Sequence, residues 1–97
     1  MAFKDLLEED QRLLILRSLF EMTGYDANES ILDSILDTYG HKVSRDQVRT
    51  HLHWLEEQRL ITLRNVSDCL IATLTARGED VATGQSIVPG VKRPRAR

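Results

Sequence analysis

The chain has 97 residues, of which 41% are hydrophobic and 29% are charged, and its formal net charge is -2. This length suits one domain with a modest core, and this composition argues against a wholly disordered chain. No apolar run approaches the roughly 20 residues that span a bilayer. The single cysteine, Cys69, excludes an internal disulfide. We therefore expect one globular domain in a reducing cytoplasm, without a membrane partner.

The charges are strongly segregated along the chain. Residues 24–40 contain four acidic and no basic side chains, whereas residues 92–97 contain four basic and no acidic ones. Such segregation makes the net charge a poor guide to partners. We interpret the carboxylates of the first two predicted helices as solvated charge. The basic end is a candidate for contact with phosphate.

A first helix is predicted from Asp5 to Met22. It carries two apolar stripes on nearly opposite sides, formed by Leu13, Leu16 and Phe20 and by Ile15, Leu19 and Met22. The second stripe is either buried between layers of the same domain or offered to another subunit. We favour the second option, which predicts a homodimer through Ile15, Leu19 and Met22.

The break at Thr23-Gly24-Tyr25-Asp26 separates the first helix from a second one. Asp26 followed by Glu29 has the spacing of a capping box, which places the start of the second helix at this point. The apolar residues Ile31, Leu32, Ile35 and Leu36 then repeat with helical spacing, and Gly40 ends the predicted second helix.

Ser44 and Gln47 form the clearest helix start in the chain, because a Ser cap with Gln three residues later is a capping box. A third helix is predicted from Arg45 to Gln58, with its inner stripe at Val48, Leu52 and Leu55. The link between the second and third helices is about four residues long, which is typical of a helix-turn-helix.

Two segments rich in strand formers, 60–64 and 70–74, predict a β-hairpin with a polar tip at 65–69. A short last helix follows from Thr75 to about Thr83, weakened by Gly78 and ended by Gly84. Residues 1–84 are thus predicted to be one mainly α domain with a small β-hairpin. Residues 85–97 are predicted to be an irregular or mobile basic tail.

This order of elements and two motifs resemble a winged helix-turn-helix domain. The stretch Val43-Ser44-Arg45-Asp46-Gln47-Val48-Arg49, continuing to Leu60-Ile61, is similar to the recognition helix and wing entry of bacterial regulators. Leu74-Thr75-x-x-Gly78-x-x-Val81 is similar to their closing segment. Nearly the whole chain resembles a family of small winged-helix proteins of Mu-like phages and prophages, often called ArsR-like regulators. The resemblance implies a phage protein in the cytoplasm of its host cell.

In a winged helix the third helix enters the major groove of duplex DNA. We therefore predict that DNA is bound by side chains of this helix, of the hairpin and of the tail. They are Ser44, Arg45, Gln47, Arg49, Thr50, His53, Arg64, Asn65, Ser67, Lys92, Arg93, Arg95 and Arg97. Arginines suit guanine or phosphate, and the polar residues suit base edges. The predicted function is a small transcriptional or accessory regulator.

The alternative is a protein-interaction or assembly adaptor that keeps the scaffold without DNA binding and contacts a phage or host protein. Asp46 lies in the middle of the predicted reading face and repels phosphate, which favours this alternative. Trp54 is either an interface anchor or a residue packed beneath a neighbouring helix or the chain terminus.

The sequence does not indicate a metal site, a cofactor or an enzyme. His51 and His53 are two residues apart on a helix and point to different sides, whereas a pair of metal ligands on a helix is three or four residues apart. They therefore do not form a pair that Cys69 or His41 could complete. A glycine-rich phosphate loop and a nucleophile elbow are both missing from the sequence.

Overall fold

The computed structural model describes residues 2–95. Within this range the order is α1 (Phe3–Glu21), a 3-10 turn (Thr23–Tyr25), β1 (Asp26–Asn28), α2 (Glu29–Thr38), α3 (Arg45–Glu57), β2 (Ile61–Val66), β3 (Cys69–Leu74) and α4 (Ala76–Thr83). The predicted mainly α, α+β class is confirmed. Each predicted helix and strand is present, with ends shifted by up to three residues.

The starts of α2 and α3 show one correct and one wrong prediction. Ser44 caps α3 as predicted, since its hydroxyl accepts the backbone N–H of Gln47 at 3.1 Å. The cap of α2 is Asn28, which accepts the N–H of Ile31 at 2.9 Å. Asp26, the predicted cap, has an extended backbone and is the first residue of β1. The capping-box spacing at Asp26 was therefore misleading.

The sheet has three antiparallel strands in the order β1-β3-β2, one more than the predicted hairpin. Asp26 pairs with Thr73, and Asn28 with Ile71. The sequence Asp-Ala-Asn has little strand propensity of its own. It becomes a strand because it lies along the otherwise unpaired edge of β3, where its backbone groups find partners.

β2 and β3 form a hairpin with a two-residue turn at Ser67 and Asp68. Both residues have positive φ, 50° and 62°, as a type I′ turn requires. The ladder runs from Ile61 opposite Leu74 to Val66 opposite Cys69. The tight turn allows the hairpin to project as a narrow, two-stranded extension beyond the core.

The core lies between the helices and the inner face of the sheet. Its fully buried members include the predicted inner stripe of α3, and they are Leu16, Leu19, Leu36, Val48, Leu52, Leu55, Leu60 and Ala72. Both apolar stripes of α1 contribute, because α2, the sheet and α4 pack around this helix.

The predicted dimer surface on α1 is therefore wrong for two of its three residues. Ile15 is 1% exposed and Leu19 is 0% exposed in a single chain, and Met22 is half-buried against the same core. Side chains already covered by their own chain are not available to a second subunit. The second apolar stripe is explained by burial between layers of the domain.

The absence of a side chain at Gly78 is required for the packing of α4, which the sequence did not reveal. A Cβ at this position would overlap the carbonyl oxygen of Leu60 and approach Leu74. Residue 78 must therefore be glycine for α4 to lie close to the start of β2. The helix tolerates the lower intrinsic propensity of glycine in exchange for this close approach.

Residues 85–95 form an irregular segment that returns across the domain. Val88 and Val91 are buried in the core, and the N–H of Lys92 donates to the carbonyl oxygen of Glu9 at 3.2 Å. This segment thereby packs against α1 and lies beside α3.

Candidate nucleic-acid interface

The outward side of α3 is a line of exposed side chains that we call the α3 ridge. It consists of Asp46, Thr50, His53 and Glu57, which recur every three or four residues. Thr50 and His53 were predicted to face outward and they do. The hydroxyl of Thr50 donates to the carbonyl oxygen of Asp46 at 3.1 Å, so its oxygen remains able to accept.

The hairpin lies on one flank of α3 and is attached there by a buried carboxylate. The side chain of Glu29, at the start of α2, is 1% exposed. One of its oxygens accepts the N–H of Leu70 on β3 at 2.7 Å. The other lies 3.2 Å from Nε of both Arg45 and Arg49 on α3. We call these four residues the Glu29 clamp, because they join α2, α3 and β3.

The clamp determines the charge of this flank. Burial alone would raise the pKa of Glu29, but the hydrogen bonds from Leu70 and Arg45 and the charges of both arginines outweigh it and lower that pKa. Glu29 is therefore ionised, and one negative charge faces two positive ones. The side chains of Arg45 and Arg49 remain 56% and 38% exposed, so the clamp presents a net positive charge to solvent.

The clamp corrects one interpretation made from the sequence. Glu29 was interpreted as solvated charge, but it is among the most deeply buried side chains of the domain. Nε of Arg49 is itself buried without a hydrogen bond of good geometry. Both arginines thus have a structural partner, and neither is an unattached side chain on the surface. The i, i+4 spacing of two arginines on one flank was the only local signal of this cluster.

The predicted DNA-binding residues of the hairpin are more exposed to solvent than the Glu29 clamp. Arg64, Asn65 and Ser67 are all exposed near the tip, as a DNA-contacting wing requires. Glu56 of α3 accepts the N–H of Leu63 at 3.0 Å, which fixes the edge strand β2 to α3. The hairpin is therefore held against α3 at two points, Glu29 and Glu56.

The C-terminal segment lies on the opposite flank of α3, around Trp54. A Cβ at Gly90 would lie 2.6 Å from Cζ2 of Trp54, and Gly90 has a φ of +98°. Arg12 of α1 lies over the indole ring at 4.1 Å and donates to the carbonyl oxygen of Gly90 at 3.0 Å. Of the two interpretations of Trp54, packing beneath the chain terminus is therefore the one observed.

A chain of hydrogen bonds lies behind this flank and runs from Arg12 to Asp10 through two histidines and Gln11. Nε of Arg12 donates to Nδ1 of His51 at 3.2 Å, so the His51 proton is on Nε2, which donates to Oε1 of Gln11 at 2.8 Å. The Gln11 amide then donates to Nδ1 of His41 at 3.3 Å, and Nε2 of His41 donates to Asp10 at 2.7 Å.

Burial, together with the Arg12 charge, lowers the pKa of His51 to about 4, which keeps the ring neutral. Because each member accepts from one neighbour and donates to the next, the chain fixes the orientation of Gln11 and the tautomers of both histidines. We call it the His51 chain. Gln11 and His51 are 4% and 1% exposed, so its centre is closed to solvent.

The basic residues of the C-terminal segment differ in their availability. Nζ of Lys92 lies 3.3 Å from Asp10, which anchors that side chain to α1. Arg93 and Arg95 are exposed, and Arg97 lies outside the described residues. Gln47 is half-buried on the same flank of α3. Two of the predicted tail cations are thus exposed, and Arg95 lies beside Arg17 and Glu21 of α1 and Thr83 of α4.

No group of three or more His, Cys, Asp or Glu side chains within residues 2–95 has the arrangement of a metal site. Cys69 lies at the start of β3, 3.9 Å from a nitrogen of Arg45, and is half-buried. None of the helices in the described part of the chain is long and apolar enough to cross a membrane.

Comparison with known proteins assigns the chain to a group of bacteriophage proteins. It is 56% identical over 93 residues to the uncharacterized protein gp26 of Escherichia phage Mu, and the alignment covers 96% of each chain. It is also 56% identical over 78 residues to an uncharacterized protein of Haemophilus influenzae strain KW20 Rd, over 79% of this chain and 76% of the relative. The chain therefore belongs to the family of phage Mu gp26. No protein-family model and no solved structure matches it.

Proposed function

We propose that this chain is a winged helix-turn-helix protein that binds duplex DNA as a small transcriptional or accessory regulator of a Mu-like phage or prophage. The order of elements supports the fold, because two helices joined by a short link and followed by an antiparallel hairpin make up this class. In this proposal α3 is the recognition helix and the hairpin is the wing. The host cytoplasm is the site of action.

The observation that carries the proposal is the exposed α3 ridge beside the cationic hairpin flank. The Glu29 clamp and Arg64 lie on that flank. Arg93 and Arg95 are exposed on the C-terminal segment, where Arg95 lies beside Arg17 and Glu21 of α1. A helix in the major groove runs between two phosphate backbones. In this proposal the hairpin flank faces one strand, and the C-terminal segment supplies further cations.

The proposal divides the residues into two roles. Arg64, Arg93 and Arg95, with the outward nitrogens of Arg45 and Arg49, contact phosphate and supply most of the affinity. Ser67 and Asn65 at the hairpin tip position the backbone.

Base edges are contacted by Gln47, Thr50 and His53 on α3. Asp46 and Glu57 repel phosphate, but carboxylates are able to accept from cytosine amino groups, and the proposal gives them that role. The ridge therefore contributes selectivity and little affinity.

The experiment is fluorescence anisotropy of a labelled mixed-sequence duplex, titrated with the full chain across a salt series. Each phosphate neutralised by a cation contributes about -0.9 to the slope of log affinity against log salt. Arg64→Ala and Arg93→Ala are each expected to reduce the magnitude of the slope by about one. These two residues test the hairpin and the C-terminal segment separately, and neither belongs to the buried clamp.

Lys4→Ala is the matched control, because it removes one exposed cation from the first turn of α1. It is expected to leave the slope unchanged. A folded wild-type protein that does not bind the duplex at low salt would contradict non-specific contact with phosphate. Equal losses in all three variants would attribute binding to overall charge and contradict specific contacts by the hairpin and the C-terminal segment.

The second candidate function is a protein-interaction adaptor on the same scaffold. Three observations favour it: Asp46 and Glu57 make the α3 ridge acidic, the clamp pairs Arg45 and Arg49 with a carboxylate of the same chain, and α1 has exposed apolar residues. In this case the Arg64→Ala and Arg93→Ala variants keep all partners. Recovery of a phage or host protein is lost instead when the α3 ridge or the exposed part of α1 is changed.

A further inference from the structure

The side of α1 that faces solvent carries an unusual number of apolar residues. Phe3 is 75% exposed, Leu6 is 51% exposed and Leu7 is 38% exposed. Together with Asp10, Leu14, Arg17 and Glu21 they form what we call the outer face of α1. Its residues Phe3, Leu7, Asp10, Leu14, Arg17 and Glu21 are separated by alternating steps of four and three, which is the spacing of a helix–helix seam.

The second half of this face borders an open groove of about 410 Å³. On one side, α1 lines the groove with Leu14, Arg17 and Glu21. Tyr39, which follows α2 and is 62% exposed, forms the opposite wall. The face therefore combines a protruding apolar part, Phe3 to Leu7, with a recessed part. A surface that contains both a protrusion and a recess is suited to pack against a copy of itself.

The charges of the outer face have the same self-complementarity. Asp10 and Arg17 lie on either side of Leu14 along the face. If two copies of α1 are antiparallel, Arg17 of each copy faces Asp10 of the other, a carboxylate that is 39% exposed and already accepts from His41 and Lys92 of its own chain. Arg17 is then a further partner of that carboxylate in each of two equivalent contacts. In a parallel pair each of these residues faces its own equivalent, so like charges are opposed.

We propose that the outer face of α1 is the contact between two copies of this chain, packed antiparallel around a two-fold axis close to Leu14. With Asp10 opposite Arg17 of the second copy, Leu7 lies level with the last turn of that copy's α1, where Arg17 and Glu21 line the groove. The exposed apolar part of each helix thus covers the recessed part of the other. This surface takes the place of the dimer surface predicted at Ile15 and Leu19, which are buried within a single chain.

The contact is modest in size, because α1 is about 28 Å long and presents one face. We therefore expect a weak dimer with a dissociation constant of roughly micromolar order, the weak end of the range for such interfaces. The residues of this face belong to none of α3, the hairpin and the C-terminal segment, although Asp10 is bonded to Lys92, and Arg95 lies beside Arg17 and Glu21.

The experiment is sedimentation equilibrium of the full chain over a range of concentrations, with four variants. Leu6→Glu places a carboxylate in the apolar part of the face and is expected to raise the dissociation constant at least about tenfold. Ile87→Glu is its matched control: Ile87 is 63% exposed but lies in the C-terminal segment, and this change is expected to leave the constant unaltered.

Arg17→Ala tests the orientation of the helices. It removes two opposite-charge pairs from an antiparallel dimer and is expected to weaken it a few-fold, whereas it removes a like-charge contact from a parallel one and strengthens it. Arg77→Ala, at an exposed arginine of α4, is the control. Circular dichroism of each variant verifies that the domain remains folded.

Three results would overturn the proposal. The first is a wild-type protein that is monomeric at high micromolar concentration. The second is a dimer that Leu6→Glu leaves intact in a folded protein. The third is a dimer that Arg17→Ala strengthens.

Discussion

The two flanks of α3 are both built on buried polar side chains, but they use opposite means. On the hairpin flank, the Glu29 clamp neutralises a buried carboxylate with two guanidinium groups and a backbone N–H. On the other flank, the His51 chain buries groups without charge and satisfies them by alternating donors and acceptors. The Glu29 clamp therefore depends on the ionisation of Glu29, whereas the His51 chain depends on His51 remaining unprotonated.

The largest expected effect is at the clamp. Glu29→Ala leaves the buried N–H of Leu70 without an acceptor, which costs about 1–3 kcal/mol, and removes the charge-assisted hydrogen bond of Arg45, which costs about 1.5–3 kcal/mol. We expect urea unfolding to show a loss of stability of that order. Glu29→Gln keeps an acceptor for Leu70 and is expected to cost less.

Asp37→Ala is the control for the clamp, because Asp37 is also a carboxylate of α2 but pairs with Lys42 on the surface. A change within about 0.5 kcal/mol is expected there. If Glu29→Ala were equally mild, the clamp would not hold the two helices to the sheet.

The next effect concerns the dependence of stability on pH. The pKa of His51 is lowered to about 4 in the folded chain, while an unfolded histidine has a pKa of 6.5. A lowered pKa means that the unfolded state binds the proton first, so the contribution of His51 is complete above pH 6.5 and is lost as the pH falls towards 4. Between pH 7 and pH 4.5 the loss amounts to about 2–3 kcal/mol.

His51→Gln provides the comparison, since its amide is able to accept from Arg12 and donate to Gln11 without titrating. We expect the free energy of unfolding of this variant to fall less than that of the wild type between pH 7 and pH 4.5. The carboxylates of Glu29 and Asp10 have lowered pKa values, and their contributions are lost only at lower pH. Parallel profiles for the two proteins would show that His51 is not kept neutral by burial.

The smallest effect is at Gly90, where the C-terminal segment meets α3. Gly90→Ala combines a positive φ with a Cβ only 2.6 Å from Trp54, and overpacking of this kind costs about 1–3 kcal/mol. We also expect a red shift of the Trp54 fluorescence as the segment moves away from the indole. Gly40 also has a positive φ, 90°, but a Cβ there would have no atom within 4 Å. The difference between Gly90→Ala and Gly40→Ala therefore measures the contact with Trp54 separately from the backbone strain. Equal effects of both changes would argue against that contact.

Local signals in the sequence predicted most of the helices and the inner stripe of α3. The Ser44 cap and the spacing of Val48, Leu52 and Leu55 depend on neighbours along the chain, and they were confirmed. β1 and the capping of α2 were not predicted correctly, because Asp26 becomes extended only when β3 is beside it.

The features that depend on distant contacts could not be predicted. Glu29 meets Arg45 and Arg49 across 16 and 20 positions of the sequence, and Gly90 meets Trp54 across 36. An acidic residue in an acidic segment is usually solvated, so composition indicated the wrong environment for Glu29. For the same reason, helical periodicity alone did not distinguish burial of Ile15 and Leu19 within one chain from burial between two chains.

The proposed function depends most directly on whether the α3 ridge faces DNA. The measurement is the change in backbone amide NMR signals of the full chain when a mixed-sequence duplex is added at low salt. We predict changes in the first half of α3, at the hairpin tip and at Arg93 and Arg95, and unchanged signals along the outer face of α1. Changes confined to α1, or none at all in the folded protein, would contradict DNA recognition by α3.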